Sequence, residues 1–176
     1  LDSQRYPHAE KPGLFEAGGP PPPGLPNARY GDFIPVPAIA DVMRWMDENG
    51  VVAGAAVQKK GTYGFDNSYI LDASDVIPRR FIAVAVVDVA ADDAAMVITT
   101  MAQQHHLAGI RLTGPVGKFD WFDTREARRA WAAVNERQLS VDLMAVPAGR
   151  SDELFAHYAA VARDFPRARL VLNHAA

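Results

Sequence analysis

Five short apolar runs punctuate the chain, beginning near residues 51, 81, 109, 140 and 169. They are Val51-Val52-Ala53-Gly54-Ala55-Ala56-Val57, Phe81-Ile82-Ala83-Val84-Ala85-Val86-Val87, Gly109-Ile110-Arg111-Leu112, Val141-Asp142-Leu143-Met144-Ala145-Val146 and Leu170-Val171-Leu172. The starts are 30, 28, 31 and 29 residues apart, close to the length of one βαβ unit. Mostly unbroken apolar runs suit strands covered on both faces. Before and between them the period changes to that of a helix. Ile39, Val42, Met43 and Met46 share a helical face, as do Ala94, Val97, Ile98 and Met101. Ala127, Ala130, Trp131 and Val134 repeat the pattern, and Leu154, Tyr158, Val161 and Phe165 do so again. Asp92, Asp123 and Ser151 stand where N-caps belong, and Gly50 and Pro166 where helices stop. Ile70, Ala73 and Ile77 mark a shorter helix between Asn67 and Pro78, with Asn67 or Ser68 as its cap.

Helix, then strand and helix four times, then a final strand predicts a parallel sheet. Two architectures fit: an open doubly wound sheet and a closed eight-stranded barrel. The open sheet carries a glycine-rich phosphate loop after its first strand, and Gln58-Lys59-Lys60-Gly61-Thr62-Tyr63-Gly64 has no such spacing. Gly114-Pro115-Val116-Gly117-Lys118-Phe119 is not a P-loop either, because its glycines are too close and Phe119 replaces the required Ser or Thr. A barrel instead gathers polar residues at the C-terminal ends of its strands. Here the run ends carry Gln58, Asp88, Arg111 with Thr113, and His174, and only Met144-Ala145-Val146 breaks the series.

The expectation is therefore an α/β protein, an incomplete (β/α)8 TIM barrel over residues 36–176, since a whole barrel takes about 250 residues. Residues 1–35, with Gly18-Gly19, Pro20 to Pro23, Pro26 and Pro35, read as an irregular loop segment. The start at Leu1-Asp2-Ser3 and the stop just after an apolar run read as the interior of a larger protein. Five strands alone form an open arc, which predicts poor solubility for the isolated chain.

Charge and composition narrow the partners. The net charge of -3 comes with no basic stripe, so neither nucleic acid nor an anionic membrane surface is expected. With no cysteine there is no disulfide and no thiolate metal site. The chain also shows no secretory signal and no apolar run of the roughly 20 residues that cross a bilayer. A cytoplasmic protein acting on a small molecule is expected, with the oligomeric state open between monomer and homo-oligomer.

Among candidate residues, His174 ends a strand, where a neutral imidazole polarises a carbonyl or binds a metal. Arg111 interrupts an apolar strand. If Ile110 and Leu112 face helices, Arg111 and Thr113 face the lumen, where a guanidinium holds a carboxylate or forms an internal ion pair, for example with Asp88. His105-His106 at a helix end, and His8 and His157, read as capping or surface groups.

Tyr63-Gly64-Phe65-Asp66-Asn67-Ser68 after a strand, the run from Phe81 to Asp88, Leu107-Ala108-Gly109-Ile110-Arg111-Leu112 and Leu170-Val171-Leu172-Asn173-His174 occur in one order. Together they resemble the amidohydrolase superfamily, nearest the branch of 2-pyrone-4,6-dicarboxylate lactonase. The resemblance implies a hydrolase acting on a lactone or another carboxylic ester or amide of a small carboxylate-bearing substrate, in a chain that is inactive as a fragment. It implies His174 as the catalytic group or a metal ligand, and Arg111, Thr113, Tyr30, Tyr63 and Asn67 as substrate contacts. A divalent ion, Zn or Mn, is implied for the full-length parent, whose His-x-His pair would precede Leu1. Tyr63 stands where that branch has histidine, Lys118 where it has a second arginine, and Met144 where it has an aromatic residue. These departures weigh against the pyrone dicarboxylate itself. A related decarboxylase, and a non-catalytic barrel relative used for binding or assembly, are the alternatives.

Overall fold

The computed structural model describes residues 5–6, 38–113, 119–144 and 151–173. Helix α1 (Ile39–Glu48) leads into β1 (Gly54–Val57), the short α2 (Lys60–Tyr63) and α3 (Ser68–Val76). Then follow β2 (Phe81–Asp88), α4 (Ala94–Gln104), β3 (Leu107–Thr113), a 3-10 turn (Asp120–Asp123), α5 (Arg125–Arg137), β4 (Ser140–Met144), α6 (Ser151–Asp164) and β5 (Arg169–Asn173). The strands lie in the order β1-β2-β3-β4-β5 and every neighbouring pair is parallel. A doubly wound sheet reverses its strand order at a switch point. This order never reverses, so the fold is the expected incomplete (β/α)8 barrel. The proline-rich segment of residues 7–35 lies outside the described residues.

Strand alternation sorts side chains into two faces. Ala83, Ala85 and Val87 of β2, Ile110 and Leu112 of β3, and Val141 and Leu143 of β4 enter one apolar cluster. From the helices that cluster receives Ile98 and Met101, Trp131 and Val134, and Leu154, Tyr158 and Val161. These are the residues that the helical spacing singles out. The other sheet face, the one a barrel turns inward, carries Val84, Arg111 and Asp142, and its Val57, Ile82 and Val171 are exposed.

One irregularity aims the site. The β2–β3 register runs Ala83 to Leu107 and then Val84 to Gly109, so Ala108 is an extra residue. Such a bulge shifts the alternation by one. Leu107 packs toward the helices while Arg111 lies opposite Val86 on the inner face. Gly109 sits in this bulge, and a Cβ there would come within 2.7 Å of the Ser140 carbonyl oxygen on β4. The neighbour is backbone and cannot rotate away. Gly109→Ala is therefore expected to cost about 1–3 kcal/mol, the usual range for overpacking. A chemical unfolding midpoint equal to wild type would show that the two strands have room to part.

Local differences from the sequence expectation have physical reasons. Strand β1 covers only Gly54–Val57 of its apolar run, and Val52 is exposed. Strand β3 starts at Leu107, where the bulge begins. Asp92 and Asp123 do not cap. Asp93 precedes α4 without a side-chain hydrogen bond, and at α5 the Thr124 hydroxyl accepts the Ala127 N–H at 3.2 Å. Neither Asn67 nor Ser68 caps α3 through its side chain; instead the Asp66 carboxylate accepts the Ser68 N–H at 2.9 Å. Gly50 behaves as expected, taking φ +66° just beyond α1, a conformation glycine adopts without strain.

Candidate active site

At the C-terminal ends of the strands, the inner face presents Arg111 on β3 and Asp142 on β4 at the same register level. The Arg111 Nε donates to Asp142 Oδ2 at 2.8 Å, and a terminal guanidinium nitrogen donates to the same oxygen. From β5, the Asn173 amide also donates to Asp142 Oδ2, at 3.3 Å. Both charged side chains are largely enclosed, 18% exposed for Arg111 and 12% for Asp142. Asp142 Oδ1, also buried, has no hydrogen-bond partner among the described residues. The partner of Arg111 is thus Asp142 and not Asp88. Asp88 ends β2 two residue pairs higher, opposite Thr113, and Met144 pairs with Asn173 in the β4–β5 register.

Asp142 and Asn173 went unsuggested by the sequence, although a signal was present. Asp142 lies between Val141 and Leu143 just as Arg111 lies between Ile110 and Leu112, and the two are 31 residues apart. An acid at the matching inward position of the next strand is what a cross-strand partner requires.

His174 and Tyr30 lie outside the described residues, and only the backbone of Thr113 is described. In sequence His174 follows directly on Asn173, the last residue of β5. Tyr63 is buried, stacks on Tyr69 with ring centroids 5.8 Å apart, and lines a cavity of about 190 Å³ at the β1 edge with Ile39, Tyr69 and Phe81. Burial, and then the neighbouring Tyr69, push its hydroxyl pKa up.

Asn67 is buried and bonded to backbone. Its Oδ1 accepts from the Val86 N–H at 2.8 Å, and its Nδ2 donates to the Val86 and Phe65 carbonyls, each at 3.0 Å. The amide stands in for a peptide unit and continues the β2 ladder where β1 has ended. Both amide protons are thus engaged with backbone carbonyls, which ties Asn67 to the edge of β2. Gln58 is similarly engaged, donating to the Asp66 carbonyl and accepting the Lys59 N–H.

Electrostatics at this end involve two more groups. Partial burial lowers the Lys60 pKa while Asp88 raises it, and its ammonium lies 4.7 Å from the Phe65 ring centroid. Burial and then the charge of Asp142 push the Tyr158 hydroxyl up to about 12, keeping it protonated behind β4.

At the opposite end of the strands, Asp75 of α3 receives both histidines of the pair that ends α4. The His105 ring lies 2.6 Å from one carboxylate oxygen, and the His106 ring and backbone N–H lie 2.9 and 3.0 Å from the other. Burial pushes the Asp75 carboxyl up, but hydrogen bonds from the His106 backbone and ring and from His105 outweigh it and bring the pKa down to about 2. A carboxyl depressed on folding contributes stability above its unfolded value near 3.9 and loses it as pH falls toward the folded value. Wild type should therefore lose about 1 kcal/mol between roughly pH 4 and pH 2 through this group, a size set by hydrogen bonds at an exposed site. Asp75→Asn should lack that component; identical acid-unfolding profiles would show that the contact contributes nothing.

Similarity to known proteins bears on this barrel end. A model of the amidohydrolase family matches residues 16–176. The chain belongs to the amidohydrolase family. This amidohydrolase chain is 30% identical over 158 residues to an L-fucono-1,5-lactonase of Burkholderia ambifaria, spanning 88% of its own length and 50% of that protein. It thus covers half the length of a curated relative. Among solved structures it resembles a probable 2-pyrone-4,6-dicarboxylic acid hydrolase of Acinetobacter baumannii, with TM-score 0.51 and 20% identity over 65% of this chain and 43% of that one. It also resembles a 2,6-dihydroxybenzoate decarboxylase from Rhizobium, with TM-score 0.59 and 14% identity over 79% and 56%. At such identities the structural likeness establishes the shared fold.

Amidohydrolases generally use divalent metals. Among the described residues no three His, Asp or Glu side chains converge as a metal site, and Asp142 is already bonded to Arg111 and Asn173. The described part of this amidohydrolase therefore does not by itself build such a centre. No helix among the described residues is long and apolar enough to cross a membrane.

Proposed function

We infer that the protein carrying this chain is a hydrolase that opens a lactone, or another carboxylic ester or amide, of a small molecule by attack of water. The supporting observation is the enclosed Arg111–Asp142 pair at the catalytic end of an amidohydrolase barrel. In this reading His174, following β5, polarises the scissile carbonyl or ligates a metal, and Arg111 orients the acyl portion. A preorganised donor at such a carbonyl stabilises the negative charge that develops on its oxygen.

The pairing also bears on substrate charge. An unpaired arginine in the lumen would favour a carboxylate-bearing ring. Asp142 cancels that charge and leaves mixed donors and an acceptor, an array suited to a neutral hydroxylated ring. The name of the relative, a lactonase for an L-fucono-1,5-lactone, points the same way. The test is steady-state kinetics of the natural polypeptide that carries this sequence, on matched neutral hydroxylated and carboxylated δ-lactones. Turnover with at least a tenfold higher kcat/KM for the neutral set is expected. Preference for the carboxylated set would return Arg111 to the role of a carboxylate anchor, and no turnover of either would overturn the hydrolase reading.

A further inference from the structure

The Asp142 carboxylate is loaded unevenly. Among the described residues three donors, two from Arg111 and one from Asn173, converge on Oδ2, while Oδ1 has none although it is buried. Asp142 as a whole is only 9% exposed. A buried carboxylate oxygen without a donor carries its full desolvation cost, and native structures keep such atoms rarely and for a reason. The position supplies one. Val141 and Leu143 face the helices, so Asp142 faces the lumen, two residue pairs below the end of β4. Arg111 and Asn173 grip the carboxylate from the strands on either side and fix its orientation.

We propose that Asp142 is a specificity-determining residue, its Oδ2 positioning Arg111 and its Oδ1 accepting a hydroxyl of the substrate ring. This rests on the hydrolase reading above and names the group by which a hydroxylated ring is told from a bare one. A charged acceptor forms a strong hydrogen bond with a hydroxyl and gains nothing from a methylene. A site whose buried polar group is left unpaired by the wrong substrate discriminates strongly.

Asp142→Asn tests this with little change of shape. Because Arg111 and Asn173 donate to the Oδ2 position, the new amide turns its oxygen there and places its NH2 where Oδ1 was. An acceptor becomes a donor. In the natural polypeptide, kcat/KM for a hydroxylated δ-lactone is expected to fall about 10- to 100-fold, mainly through KM, the range for a hydrogen bond to a charged group. For δ-valerolactone, which has no ring hydroxyl, the loss should be about tenfold smaller, limited to what a loosened Arg111 costs any lactone. Equal losses on both substrates would reduce Asp142 to a structural residue and overturn the proposal, leaving the hydrolase reading intact.

Binding of a 1,5-anhydrohexitol, a hydroxylated ring without a scissile carbonyl, gives a readout independent of turnover. Binding that is lost in Asp142→Asn supports the proposal even if no lactone is hydrolysed, whereas equal or absent binding overturns it. If Asp142→Asn does not fold, Asn173→Ala takes its place. By loosening the carboxylate it should produce a smaller loss, about threefold, again larger on the hydroxylated lactone than on the bare one; the same loss on both lactones overturns the proposal.

Discussion

Replacing Arg111 with methionine is expected to lower the unfolding free energy by about 3 kcal/mol. The guanidinium is the charge partner of Asp142, and both groups are largely enclosed. Removing one member of such a pair leaves the other as an uncompensated charge in a poor solvent, which costs about 3–5 kcal/mol; the residual exposure here places the effect at the lower end. Replacing the pair together is a different matter, because no charge is then stranded. The double variant Arg111→Met with Asp142→Leu should recover most of the loss and fold within about 1 kcal/mol of wild type. Urea unfolding of the two variants side by side is the measurement. Wild-type stability in the single variant would mean that water reaches the pair and screens it. A double variant no better than the single one would mean that the loss comes from packing.

His174→Ala is expected to cut hydrolysis of the best lactone by about 10²-fold or more, the order found when a donor to a developing oxyanion is removed. The expectation rests on the hydrolase reading and on sequence position: the histidine is next in the chain to Asn173, whose amide meets Asp142. The loss should fall on kcat and kcat/KM alike, because the contact strengthens as charge develops. Wild-type rates in this variant would return His174 to a structural role.

Much of the fold could be read in the sequence because burial on both faces leaves an unbroken apolar signature. The runs at Phe81–Val87 and Val141–Leu143 became β2 and β4, and the helical stripes through Ile98, Trp131 and Val161 became the covering layer. The candidate site was less legible, since its geometry depends on register and on tertiary partners. Arg111 could be assigned to the lumen from its apolar neighbours. The bulge at Ala108 that puts it opposite Val86, and the acid that meets it from β4, are properties of strand pairing. Asn67 shows the same limit. Its spacing before a helix suggests a cap, yet its amide continues the ladder on β2, because β1 ends at Val57 and leaves the Val86 backbone groups in need of partners. Capping passed to Asp66 one residue earlier. His105 and His106 were read as groups at a helix end, and the acid that binds them both, Asp75, comes from the preceding helix, 30 and 31 residues away.

A crystal structure of the natural polypeptide with a 1,5-anhydrohexitol bound measures most directly whether this barrel end is a substrate site. The ring is expected in the lumen, within hydrogen-bond distance of Arg111, with the His174 imidazole in the same mouth. A ring bound on the helical side of the sheet, or His174 turned away from a lumen that holds the ligand, would contradict it.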